Sequence, residues 1–151
     1  ELEISDDESF VLPQTVPFAT SVPGGLREGA VVTVTGRVRL GAERFHVNLQ
    51  CGLEEHPAAD IAFQFNPRYG RLKNHVVCNS MRFQTWGTEE RRYKTAAPPG
   101  SSFKLTITVY QDCYQVAVND VPFLEFKHRL PFSDVNAIVI DGGVELESVR
   151  Y

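Results

Sequence analysis

The chain lacks any apolar run approaching the roughly 18 residues that a membrane-spanning helix needs, so membrane insertion is not expected. It also lacks segments in which apolar residues recur at helical spacing, which removes helical bundles and α/β folds. Cysteine is scarce: Cys51, Cys78 and Cys113 form an odd set with no Cys-x-x-Cys pair. A structural zinc site is therefore not expected, nor a disulfide framework. Cys78 and Cys113 fall in strand-like runs and read as buried, whereas Cys51 beside Gly52 reads as more exposed. His56, His75 and His128 stand at no metal or catalytic spacing and read as surface or turn residues. A basic excess is missing too. The net charge of −4 speaks against a nucleic-acid partner, because phosphate binding needs a concentrated basic surface. No basic stretch followed by an apolar one opens the sequence, so a retained signal peptide is not expected. Gly-x-Ser-x-Gly is absent as well.

Short alternating runs are what the chain does have, separated by turn signals every eight to twelve residues or so. Glu1, Glu3, Asp6, Asp7 and Glu8 crowd the start, which predicts a solvated acidic leader over residues 1–10 and one domain over 11–151. Strands are expected at Val31–Val38, Phe45–Gln50, Ile61–Arg68 and around Val76–Asn79. Phe103–Tyr110, Tyr114–Asn119, Phe123–Phe126, Ala137–Ile140 and Val144–Val149 complete the set. Pro23-Gly24-Gly25, Pro98-Pro99-Gly100, Asn119-Asp120 and Asp141-Gly142-Gly143 punctuate them. With no internal repeat and no linker, this predicts an all-β fold: one antiparallel sandwich of two sheets.

Chemistry concentrates between Asp60 and Arg91. Along Ile61–Arg68, a period of two puts Ile61, Phe63 and Phe65 on one face and Gln64, Asn66 and Arg68 on the other. Asn79 follows on the next strand. Then comes Trp86-Gly87-Thr88-Glu89-Glu90-Arg91, with the only tryptophan of the chain. Amides, guanidiniums, one carboxylate and one large flat ring suit a neutral polyol with an apolar face, namely a sugar. Arg44, His46, Asn48 and Gln50 line the polar side of the preceding strand; they read either as an extended subsite or as a solvated face. Trp86 taken alone would read as core, but its place beside Gly87 and the Glu89/Arg91 alternation favours a ligand platform. Hydrolysis of a glycosidic bond needs two carboxyl groups, about 5–5.5 or 6.5–9.5 Å apart. Only Glu89 is offered on that face, so catalysis is not expected.

These residues, in this order, resemble the galectin family of carbohydrate-recognition domains. The likeness runs from about Val11 to Tyr151. It rests on Pro23-Gly24-Gly25-Leu26, Phe65-Asn66-Pro67-Arg68, Val76-Val77-Cys78-Asn79 and Trp86-Gly87-x-Glu89-x-Arg91, followed by Val116-Ala117-Val118-Asn119 and His128-Arg129-Leu130. The resemblance implies a jelly-roll-like sandwich of a five- and a six-stranded sheet whose concave face binds β-galactosides without metal or cofactor. It further assigns Asn66 and Arg68 to the axial 4-hydroxyl of galactose, and Asn79 and Glu89 to the 6-hydroxyl. Glu89 and Arg91 would hold the 3-hydroxyl of the next sugar, with Trp86 stacked under galactose. Where the family has histidine in His-x-Asn-Pro-Arg, this chain has Gln64, whose amide can still donate to and accept from a hydroxyl. The implied partners are β-galactoside-bearing glycans and glycoproteins. Implied too are cytosolic synthesis with export independent of a signal peptide, and avidity from a homodimer or from a second lectin domain in a longer parent chain.

Selectivity for galactose over its 4-epimer has a simple source. Each site group left unpaired by an equatorial hydroxyl costs roughly 1–3 kcal/mol. The C–H bonds at C3, C4 and C5 of galactose meanwhile form an apolar patch that an indole covers. On this reading Arg68 pairs with Glu89, which fixes the guanidinium plane. The competing expectation is a galectin-fold protein whose sugar site has drifted and which serves protein–protein contact or structural packing.

Overall fold

Alternating burial along the strands builds two sheets. The computed structural model describes residues 15–71 and 73–151, together with the backbone of Ser9–Phe10. The acidic leader expected over residues 1–10 otherwise lies outside the described residues. In chain order the strands are β1 (Ser9–Phe10), β2 (Phe18–Ser21), β3 (Val31–Val38), β4 (Phe45–Gln50), β5 (Ile61–Arg68), β6 (His75–Arg82) and β7 (Thr85–Trp86). Then follow β8 (Glu90–Arg92), β9 (Ser102–Val109), β10 (Cys113–Val118), β11 (Val121–Lys127), β12 (Ala137–Gly142) and β13 (Val144–Arg150). The only helical piece among the described residues is a 3₁₀ turn at Phe132–Asp134.

One sheet runs β1-β13-β3-β9-β10-β11 and has six strands; the other runs β2-β12-β4-β5-β6-β7, with β8 also on β6, making seven. All pairings are antiparallel. The family resemblance implied five and six strands. The difference is small: β1 is a two-residue addition, and β7 and β8 lie end to end along one edge of β6, against Met81–Arg82 and Val76–Cys78 respectively.

Apolar faces meet between the sheets. Phe63 is stacked between Tyr114 and Phe126, with ring centroids 5.1 and 4.7 Å away, and all three are fully buried. Phe45 stacks on Phe103 and Phe65 meets Phe123 edge-on. The expected face of β5 needs one correction. A register shift between Ile61 and Gln64 marks a bulge, and a bulge inserts a residue and reverses the alternation before it. Ala62, Phe63 and Phe65 therefore join the core. Ile61 instead lines a hollow with Gln50, Met81 and Val139 on the outer face of the seven-stranded sheet.

Two glycines illustrate close approach and turn geometry. Gly25, at φ 74°, sits where a Cβ would come within 2.9 Å of the Ser133 carbonyl oxygen, which lets the Pro23-Gly24-Gly25 turn press against the 3₁₀ segment. The β10–β11 hairpin turns through Asn119 and Asp120, at φ 51° and 67°, the pair of left-handed residues that a two-residue type I′ turn requires. The Asn119 side-chain oxygen also accepts from the Lys104 backbone N–H at 2.8 Å.

Candidate functional site

On the outer face of the seven-stranded sheet a groove of about 510 Å³ opens over β4, β5 and β6. It is walled by Arg44, His46, Gln64, Asn66, Arg68, Val77, Asn79, Trp86, Gly87 and Glu89. The period of β5 delivers Gln64, Asn66 and Arg68 to this face while their neighbours fill the core. Cross-strand register aligns an amide row: Asn48 opposite Gln64, and Gln64 opposite Asn79.

Asn66 is only 4% exposed, and both ends of its amide are engaged. Its Nδ2 donates to the Phe45 carbonyl at 2.6 Å, and its Oδ1 accepts from Arg68 Nε at 3.0 Å. Asn66 thus orients Arg68 and leaves both Nη groups of Arg68 as open donors toward the groove. Asn79 is held in the same way. Its Nδ2 donates to the Gly87 carbonyl at 2.9 Å, while its Oδ1 accepts from the Ser80 N–H at 2.8 Å and from Arg129 Nη1 at 2.9 Å. With both lone pairs taken, Asn79 offers a ligand one remaining N–H.

Trp86 ends β7, opposite Met81, and is 47% exposed, with its ring on the groove and outside the core cluster. The turn beyond it is tight. Gly87 N–H donates to the Ser80 carbonyl at 2.8 Å. A Cβ on Gly87 would come within 2.9 Å of Arg129 Nη1 and 3.2 Å of Asn79 Oδ1, so glycine lets the tryptophan loop close on Asn79 with both of those side chains left in place.

The expected Arg68–Glu89 pair is not formed. Arg68 leans on Asn66, and Glu89 is gripped by Arg91, whose Nη2 and Nε stand 2.7 and 3.0 Å from Glu89 Oε2. The reason is local: Glu89 and Arg91 are two apart and share one side of an extended segment. Arg91 therefore acts behind Glu89, at the rim and 3.4 Å from His75 Nε2, and does not wall the groove. Glu89 Oε1 remains an open acceptor. Of the extended set, Arg44 and His46 wall the groove. Asn48 is buried, with its Nδ2 donating to Gln50 Oε1 at 3.1 Å.

His46 faces Asp141 across β4 and β12. Burial holds its imidazole below the usual histidine range and Arg44 adds to that, while Asp141 pulls it back up. His128, expected at the surface, is partly buried instead. Its Nε2 lies 2.8 Å from the Tyr110 carbonyl oxygen and its ring packs edge-on against Tyr114, as the crossing of β9, β10 and the 3₁₀ turn demands.

Arg129 is the residue that sequence reasoning missed. Besides Asn79 it reaches Ser80 Oγ at 3.2 Å, the Thr88 carbonyl at 2.7 Å and Glu90 Oε2 at 2.9 Å, and it lies over the Phe126 ring. One guanidinium thus ties β6 to both sides of the Trp86–Glu90 loop. Its distance of some fifty residues along the chain from these partners left no local signal beyond the His128-Arg129-Leu130 motif.

Taken together, the open groups are the Arg68 guanidinium, both ends of the Gln64 amide, one Asn79 N–H, one Glu89 oxygen and an exposed indole. Donors and acceptors alternate around an apolar plate, which suits a ring bearing hydroxyls, since each hydroxyl both donates and accepts.

Comparison with known proteins agrees. The family model for galactoside-binding lectins matches residues 17–151. Galectin-12 of Homo sapiens is 39% identical over 149 residues, covering 95% of this chain and 44% of the relative. Galectin-4 of Rattus norvegicus is 39% identical over 137 residues, 91% of this chain and 41% of the relative. Galectin-7 of Homo sapiens is 39% identical over 135 residues, 89% of this chain and 96% of the relative. The chain therefore spans less than half the length of the first two and nearly all of the third. The solved structure of sheep Galectin-11 in complex with glycerol matches with a TM-score of 0.80 at 29% identity, covering 90% of this chain and 97% of that one.

Proposed function

This chain belongs to the galactoside-binding lectin family, and from that premise we propose that its groove holds the galactose ring of lactose- or N-acetyllactosamine-type ends of glycoconjugates. The family is one of sugar-binding proteins and not of enzymes. One observation carries the reading for this chain: Trp86 stands half-exposed over a groove whose facing wall is an Arg68 guanidinium already aimed by Asn66.

In the bound state the indole packs under the C3–C4–C5 patch of galactose. Arg68 donates to the axial 4-hydroxyl, with Asn66 contributing its remaining lone pair. Asn79 and Glu89 meet the 6-hydroxyl, and Glu89, held in place by Arg91, reaches the neighbouring sugar. Gln64 supplies an amide where the family has an imidazole. Arg44 and His46 extend the groove beyond galactose.

An open groove gives modest affinity. At a ligand efficiency near −0.3 kcal/mol per heavy atom or less, a disaccharide gains on the order of −4 to −6 kcal/mol, or roughly millimolar to tens of micromolar. Useful retention on a cell surface then comes from multivalency, through a homodimer or a second lectin domain. Free thiols at Cys51, Cys78 and Cys113 suit synthesis in a reducing compartment, and the family supports export without a signal peptide.

The test is a titration of Trp86 fluorescence with lactose and with cellobiose, its counterpart built from glucose alone. Lactose should saturate the signal and cellobiose should leave it flat. No saturable change at high-millimolar lactose would instead favour the drifted-site reading.

A further inference from the structure

The outer face of the seven-stranded sheet carries a second hollow, of about 410 Å³, at the end of β4 and β5 opposite the Arg44–Arg68 bridge. Gln50, which ends β4, lines it beside Ile61, which opens β5, and Met81, which pairs with Ile61 from β6. Ile61 and Met81 are buried yet lie outside the core cluster. They floor the hollow because the bulge in β5 turns Ile61 outward. Ala19, Leu53 and Val139 add apolar walls, and Glu54 and Glu55 stand exposed at the lip. Neither carboxylate makes an ion pair among the described residues, and no lysine or arginine lines the hollow. Such a seat suits an apolar side chain with a cation beside it.

The chain presents that group at its other end. Leu40, in the turn between β3 and β4, is 81% exposed, more than any other large apolar side chain among the described residues. It rests on Gly100, where a Cβ would come within 2.9 Å of Leu40 Cδ2. Arg37 and Arg39 precede it, both exposed and neither in an ion pair among the described residues. Arg37 Nε donates to the carbonyl of the same Gly100 at 3.1 Å, which keeps that guanidinium close to Leu40. Over residues 37–44 the one acid, Glu43, faces three arginines. The six residues of β4, about 20 Å of strand, separate Leu40 from the hollow, so the leucine cannot fill the hollow of its own chain.

We propose that Leu40 of one copy seats in the Ile61–Met81 hollow of the next, with Arg39 against Glu54 and Glu55, so that chains associate head to tail. Neither surface includes a residue of the sugar groove, so the inference stands apart from the sugar reading. The contact joins two different patches. A copy whose hollow is filled still offers its own Leu40, and the association extends past two. Removal of the leucine and the hollow from water supplies the attraction, while the unpaired charges fix which way round the copies meet. A contact built on one anchor is small, which makes it weak and transient. Each copy keeps its groove open, so a row of chains offers several grooves to one glycan-bearing surface.

The experiment is sedimentation equilibrium of the whole chain from about ten micromolar to about one millimolar, with Leu40→Asp, Ala19→Arg and their equimolar mixture. The weight-average mass of the parent should climb past that of a dimer, fall back with added salt and ignore high-millimolar lactose. Each variant alone should remain a single chain. Their mixture should form dimers and nothing larger, because one variant offers only a hollow and the other only a leucine. Both substitutions fall at exposed positions, and thermal unfolding of each variant checks the fold. Should either unfold, Arg39→Glu changes only an exposed charge and should weaken the association about tenfold. A parent that stays single at the highest concentration overturns the proposal, as does association that survives Leu40→Asp and Ala19→Arg. A mixture that stays monomeric overturns the pairing of these two patches. A mass that stops at the dimer and is lost on adding lactose indicates two copies paired groove to groove, and overturns the head-to-tail row.

Discussion

At the scale of single residues, the most occupied side chains of the groove are its asparagines. Asn66 has half and Asn79 three quarters of its side-chain hydrogen-bonding capacity engaged within the protein, so much of their contribution is to aim Arg68 and to anchor the Trp86 loop. Arg129 belongs to the same scaffold. Arg129→Met withdraws four hydrogen bonds and the guanidinium that lies over Phe126, so lactose affinity should fall about tenfold while the chain remains folded. A titration of the variant, with its thermal unfolding recorded alongside, checks this; unchanged affinity would reduce Arg129 to a surface tie. Gln64 is half-buried at the centre of the amide row, and its side chain makes no hydrogen bond among the described residues. Gln64→His should strengthen lactose binding, and equal affinities for the two chains would show that the amide already does what an imidazole would.

At the scale of elements, β5 does two jobs because its alternation holds from Phe63 to Arg68: aromatic rings go inward and the polar kit goes outward. Phe63→Ala would open a cavity between Tyr114 and Phe126 and cost about 3–5 kcal/mol, measurable as a fall in the urea midpoint. β4 carries a pH dependence. The imidazole of His46 sits below its ordinary value of 6.5 in the folded chain, chiefly through burial. The folded state therefore binds fewer protons than the unfolded one. The stability this contributes is complete above that value and is lost as pH falls through the folded one. Between about pH 7.5 and 5.5, His46→Gln should lose less stability than the parent chain. Equal losses in paired urea titrations would contradict the assignment.

These elements also mark where the sequence could be read and where it could not. Alternation and turn residues placed β3, β4 and β5 at their observed bounds, since a half-buried strand writes its two faces into every second residue. The bulge before Gln64 is invisible to that reasoning, because an inserted residue changes register without changing composition, and so Ile61 was assigned to the wrong face. Asn66, Arg68, Asn79, Trp86 and Glu89, grouped by their spacing in the sequence, wall one groove. Spacing could not say that Glu89 would choose Arg91 over Arg68, a choice made by side-chain geometry along one extended segment.

For the whole molecule, two sheets share one aromatic core and divide the outer surface between them. The seven-stranded sheet carries the sugar kit, on a chain that is acidic overall. Such a layout gives a rigid floor with an open top, so ligand binding should perturb one face and leave the other unmoved. The most direct measurement is a residue-resolved amide and indole NMR titration with lactose. The Trp86 indole N–H and the amides of Gln64, Asn66, Arg68 and Asn79 should shift together and saturate with one dissociation constant in the micromolar-to-millimolar range, while β9, β10 and β11 stay still. Shifts that fail to saturate, or that fall on the six-stranded sheet, would contradict a galactoside site in this groove.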